Sequence, residues 1–92
     1  MLPKLREAKY RHDYRIWIKF ADGVEGEIDL ENELWGEIFE PLKDKGRFAE
    51  FVLDKELETI VWPNGADFAP EFLYQKLRPN YALKPTTRTG EA

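Results

Sequence analysis

Between Tyr14 and Leu30 apolar and polar residues alternate on both sides of Asp22-Gly23, and this pattern restricts the fold more than any other feature. Tyr14, Ile16, Ile18 and Phe20 interleave with Arg15, Trp17 and Lys19, the period of a half-buried strand. Val24 to Leu30 resumes the alternation after the glycine. A two-residue loop would pair Phe20 with Glu25 and Ile18 with Glu27, mixing the faces. A three-residue loop, with Gly23 left-handed at a bulge, pairs Phe20 with Val24 and Ile16 with Ile28. It also sets Lys19 opposite Glu25 and Arg15 opposite Asp29. A one-residue slip turns every side chain to the other face, so the sorting of apolar residues selects the second register.

The rest of the chain reads around this hairpin. Lys4 to Tyr10 suits a short first strand that turns through Arg11-His12-Asp13. From Glu31 to Phe51 the period lengthens: Leu34, Ile38 and Leu42 stand four apart, with Trp35 and Phe39 beside them. Pro41 cannot occupy a helix interior without losing a hydrogen bond. The spacing therefore predicts a turn around Leu34-Trp35, then a helix with Pro41 in its first turn and Gly46 at its stop. Phe51-Val52-Leu53 and Thr59-Ile60-Val61-Trp62 read as a second hairpin. Pro63-Asn64-Gly65 ends it, and Pro70 opens a final helix closed by Pro79.

These elements define an α+β fold: one small, mainly antiparallel sheet of two hairpins packed against two short helices. Five strands are expected, in the order β-β-β-α-β-β-α. Residues 1–78 are expected to form one domain and residues 79–92 a flexible tail.

The 92 residues include no cysteine, so neither a disulfide nor a thiolate metal site can reinforce the core. Three Trp, four Tyr and six Phe must supply much of the packing. Met1 to Arg6 lacks a secretory h-region, and no run approaches the ~18 apolar residues of a membrane helix. A cytoplasmic protein away from membranes is the expectation. The formal net charge is −4. Residues 1–15 balance at +3, residues 76–92 at +3, and residues 16–75 at −10. An acidic body repels a phosphate backbone, which argues against direct nucleic-acid binding.

Reactive constellations are equally sparse. His12 stands alone between Arg11 and Asp13, and consecutive strand residues point to opposite faces. The chain has no serine, and Thr86, Thr87 and Thr89 lie in the expected tail. Glu25, Glu27 and Asp29 share a strand face, but carboxylates spaced along a strand diverge and face Arg15 and Lys19. Glu31, Glu33, Glu37 and Glu40 lack a calcium-loop pattern. Gly23 and Gly26 precede no helix and make no phosphate cradle. No catalytic, cofactor or metal site is expected.

The segments Phe20-Ala21-Asp22-Gly23, Asp29-Leu30 and Trp62-Pro63-Asn64-Gly65-Ala66-Asp67-Phe68-Ala69-Pro70-Glu71-Phe72-Leu73-Tyr74 resemble Domain of Unknown Function 2442, a family of small prokaryotic proteins. The resemblance implies a compact α+β fold and supplies no reaction. Some relatives carry a helix-turn-helix domain after this module. Others are encoded beside a second small protein in toxin–antitoxin-like pairs. Fifteen residues follow Leu77 here, too few for a helix-turn-helix, so direct DNA reading is not carried over.

The turn of Trp62, Pro63, Asn64, Gly65 and Asp67 is the candidate interaction site. Its structural reading has Trp62 in the core and Asp67 capping the next helix or binding the turn amides. Trp17 shares a face with Lys19 and Glu27 and is the candidate exposed aromatic. The function these features suggest is a non-enzymatic interaction module, antitoxin-like by resemblance. Its partner would be another small protein or a second copy. An accessory role in nucleic-acid regulation, through the basic ends or a DNA-binding partner, is the alternative.

Overall fold

The computed structural model describes residues 3–78. The tail expected at 79–92, with Pro79 and its threonines, lies outside the described residues. Three strands, β1 (Leu5–His12), β2 (Arg15–Phe20) and β3 (Glu25–Asp29), form an antiparallel sheet in that order. Arg15 pairs with Asp29, Ile16 with Ile28 and Lys19 with Glu25. Phe20 N–H donates to Val24 at 2.8 Å, and Gly23 takes φ +91°. The register chosen by sorting apolar residues is the register formed. Leu5, Ile16, Ile18, Phe20 and Ile28 are buried on one face; charged residues and Trp17 occupy the other.

The first strand runs further than expected, to His12, because Asp13 makes the turn in the left-handed region at φ +48°. A second correction concerns the middle of the chain. Where one helix stopping at Gly46 was expected, two 3-10 segments (Glu31–Glu33 and Glu37–Lys43) precede a single turn, α1 (Lys45–Phe48). Pro41 sits inside the second segment, not in the first turn of a helix. Proline obstructs the i−4 bond of an α-helix, and the tighter path uses i−3 bonds such as Asp44 N–H to Pro41 at 3.3 Å. Asp44 then caps α1 by accepting from Arg47 N–H at 3.1 Å, which places Gly46 inside the turn.

The second hairpin, β4 (Val52–Asp54) and β5 (Thr59–Val61), forms its own two-stranded sheet. One shared sheet was expected. Among the described residues, one backbone bond, Leu5 N–H donating to Glu58 at 3.1 Å, ties the two sheets. Glu58 lies in the left-handed region at φ +59°, immediately before β5, and β4 and β5 are three residues each. Helix α2 (Pro70–Leu77) begins on Pro70, as the sequence predicts, and buries Leu73 and Tyr74 against the larger sheet. The architecture is α+β with five strands.

Candidate functional site

The turn after β5 is closed by backbone bonds at both ends. Gly65 N–H donates to Trp62 and Trp62 N–H to Ala66, each at 2.9 Å. Gly65 adopts φ +90°. Asn64 accepts from Ala66 N–H at 3.1 Å through Oδ1 and donates through Nδ2 to the Ile38 carbonyl at 2.8 Å. The turn after β2 repeats this chemistry. Gly23 N–H donates to Phe20 at 2.9 Å, Asp22 Oδ1 accepts from Val24 N–H at 3.0 Å, and Asp22 Oδ2 accepts from Tyr74 OH at 2.7 Å. Both are three-residue loops closed by a bond from the glycine N–H to the carbonyl three residues earlier, with the glycine left-handed. In both, the residue before the glycine braces the loop with one atom and holds a distant element with another.

Trp62 is 2% exposed and anchors the aromatic core. Its Nε1–H donates to the Phe48 carbonyl at 2.7 Å, and its ring meets Phe39, Phe51 and Phe68 edge-on. Phe39, Phe68 and Phe72 stack in a column at 4.8 and 5.3 Å. Asp67 does not do what the sequence suggests. Helix α2 starts from Ala69 without a side-chain cap, and Asp67 bridges Val61 through its backbone while its side chain is exposed. Asp67 precedes the capping position, Ala69, and is too early in the chain to serve the helix amides. Asn64, already inside the turn, binds the turn amide instead.

The segment bonded by Asn64 exposes more apolar surface than the sequence pattern implied. Trp35 is 73% exposed and Ile38 47%, on the segment that Asn64 holds. Pro63 and Asn64 also border a shallow cavity of ≈ 60 Å³, shared with Pro41, Leu42, Arg47 and Glu50. That volume holds a few waters, far below the ~300 Å³ of a small-molecule site. Glu37, Glu40 and Asp67 are exposed nearby in the chain. The i, i+4 spacing of Leu34, Ile38 and Leu42 concealed the exposure of Ile38. Trp35 carried no signal except its size.

Trp17 lies half-buried opposite Lys9 and Glu27, with the Lys9 ammonium 5.7 Å from its ring centroid. Glu27 binds Arg15 and, at 3.5 Å, Arg11; Asp29 binds Arg15 at 3.3 Å. The Arg15 guanidinium holds the Glu27 carboxyl below its ordinary range and is itself raised by it. His12 and Asp13 do meet, at 3.1 Å, because the left-handed Asp13 brings the neighbours to one side. Lys45 binds the same carboxylate at 2.8 Å and, with His12, lowers its pKa. All three side chains are more than half exposed, so no walled site surrounds them. Among the described residues, no three His, Cys, Asp or Glu converge as metal ligands. No helix among them is long and apolar enough to cross a membrane.

The geometry defines a small α+β domain in which two matching loops clamp helical segments onto paired antiparallel sheets. Over residues 5–79 the chain matches the family described as Protein of unknown function (DUF2442), and it belongs to that family. No curated protein and no solved structure matches it.

Proposed function

We propose that this domain is a non-enzymatic protein-interaction module that docks another small protein on the face of Trp35, Ile38, Pro63 and Asn64. One observation carries the reading: Trp35 stands 73% exposed on a segment that Asn64 holds in place. An exposed indole offers large contact area with few rotatable bonds, and such residues dominate binding energies. The acidic neighbours Glu37, Glu40 and Asp67 suit a partner with a basic rim around an apolar contact. The antitoxin-like role suggested by the family resemblance is one form of this reading.

The test is mass spectrometry of the proteins that copurify with the natively expressed, tagged chain at moderate salt. A stoichiometric small protein retained by the wild type and lost with Trp35→Ala supports the module. Equal capture by both, or none by either, refutes docking on this face. Trp35→Ala should shift stability by no more than about 0.5 kcal/mol, since the ring is exposed.

The alternative, an accessory of nucleic-acid regulation, rests on the basic ends. Arg6, Arg11 and Arg15 are engaged with Glu58, Glu27 and Asp29, which reduces the charge free for phosphates. Binding that weakens steeply with salt would favour this alternative.

A further inference from the structure

The larger sheet ends in two edges that are defended differently. The β1 edge carries Arg6, Lys9 and Arg11, has register irregularities between Leu5 and Glu7 and between Tyr10 and His12, and gives Leu5 N–H to Glu58. Cationic side chains and bulges are the usual protection of an edge. The β3 edge has neither, and its pairing with β2 is regular from Glu25 to Asp29. The flanking bonds, Phe20 N–H to Val24 and Leu30 N–H to Tyr14, assign Gly26 and Ile28 as the residues that bond β2. The N–H and C=O groups of Glu25, Glu27 and Asp29 therefore point away from the sheet. Among the described residues, none of them meets a backbone partner.

The two faces beside this edge differ in chemistry. On one, Glu25, Glu27 and Asp29 form a row of carboxylates, with Glu25 and Glu27 exposed. Arg15 and Arg11 bind Glu27, and Arg15 binds Asp29, all from the strands behind β3. On the other face Ile28 is buried, and Leu77 Cδ2 lies 2.9 Å from where a Cβ on Gly26 would stand. A strand laid against β3 thus meets carboxylates on one side and aliphatic carbon on the other. A second copy fits poorly. Two β3 strands paired about a twofold axis set Glu27 against Glu27 and Glu25 against Asp29, like charges directly opposite. The β1 edge of another copy is bulged and partly bonded already.

We propose that the β3 edge takes, by strand addition, an extended segment of a partner protein in which Lys or Arg alternates with aliphatic residues. Its backbone bonds the outward groups of Glu25, Glu27 and Asp29. Its cations lie beside those carboxylates, and its aliphatic side chains lie on the side of Ile28 and Leu77. Main-chain bonds hold the segment, and the two faces select its alternation. The edge shares no residue with the face of Trp35, Ile38, Pro63 and Asn64, so neither site depends on the other.

The probe is a fluorescent heptapeptide of alternating Lys and Val, titrated into the full chain by anisotropy. It should bind saturably. A Glu–Val counterpart, and the Lys–Val peptide N-methylated at its three central residues, should each bind at least about tenfold more weakly. Glu27→Pro removes an outward donor without touching the bonds to β2 and should weaken binding as much. Trp35→Ala should leave it unchanged. Amide hydrogen exchange locates the peptide: Glu25, Glu27 and Asp29 should slow at least about tenfold when it is added, while Ile16 and Ile18 keep the protection they already have. No saturation up to about 1 mM peptide, or equal binding of the N-methylated peptide, overturns the proposal. Edge amides already protected without peptide overturn it too, whether dilution abolishes that protection, which implicates a second copy, or leaves it, which implicates the chain itself.

Discussion

Gly23 and Gly65 are required for their backbone alone. Both hold φ near +90°, and a Cβ on either would meet nothing within 4 Å. Gly65→Ala and Gly23→Ala should each cost about 1–2 kcal/mol from the left-handed conformation. Thermal melts would read this as about 4–8 °C per kcal/mol for a domain of this size. Gly46→Ala is the contrast, since that glycine lies within a helical turn and its Cβ would sit 3.4 Å from Asp44 Oδ2. It should be neutral or stabilise by up to about 1 kcal/mol. If all three variants lose the same stability, the backbone account is wrong. The role of Gly23 was legible because only one register sorted the faces. The bond from Asn64 to Ile38 was not, because its partners stand 26 residues apart. Asn-Gly announces a turn, but nothing in it says which element the free amide group will hold.

At the scale of elements, the strands were readable and the helical middle was not. A period of two has one interpretation over six residues, and β2 buries Ile16, Ile18 and Phe20 as that period demands. Leu34, Ile38 and Leu42 imitate a helix, yet Leu34 and Leu42 are buried while Ile38 is exposed. Pro41 supplied the clue that no continuous α-helix forms, without indicating the 3-10 path. The irregular segment is held from outside by Asn64, by Trp62 through Phe48, and by Lys76, which binds Glu33 at 3.1 Å. Trp62→Phe should therefore cost about 1–3 kcal/mol, because the buried Phe48 carbonyl loses this donor while the ring packing is largely kept. Urea unfolding would measure it. A cost below about 0.5 kcal/mol would mean that the ring contacts alone fix the segment.

At the scale of the molecule, three carboxylate contacts make the fold sensitive to acid. Lys45 and His12 lower the pKa of Asp13, Arg15 lowers that of Glu27, and the Tyr74 hydroxyl with the Val24 amide lowers that of Asp22. In each case the folded pKa lies below the unfolded one, so the unfolded chain binds more protons in the interval between them. Stability from these contacts is complete above the ordinary carboxylate range near about pH 4, and is lost as pH falls through the folded values. Asp22 is the most informative of the three, since it joins the β2–β3 loop to α2 across the sheet. Asp22→Asn leaves an oxygen for the Val24 amide and removes the charge that Tyr74 stabilises. Urea midpoints measured from about pH 6 down to pH 2 should fall below about pH 4 in the wild type, and fall less steeply in Asp22→Asn. Tyr74→Phe should flatten the profile in the same direction, because it removes the donor rather than the carboxylate. Were the single variants to keep the full acid slope, the loop would not be coupled to α2 through this contact, and the slope would belong to the Asp13 and Glu27 pairs.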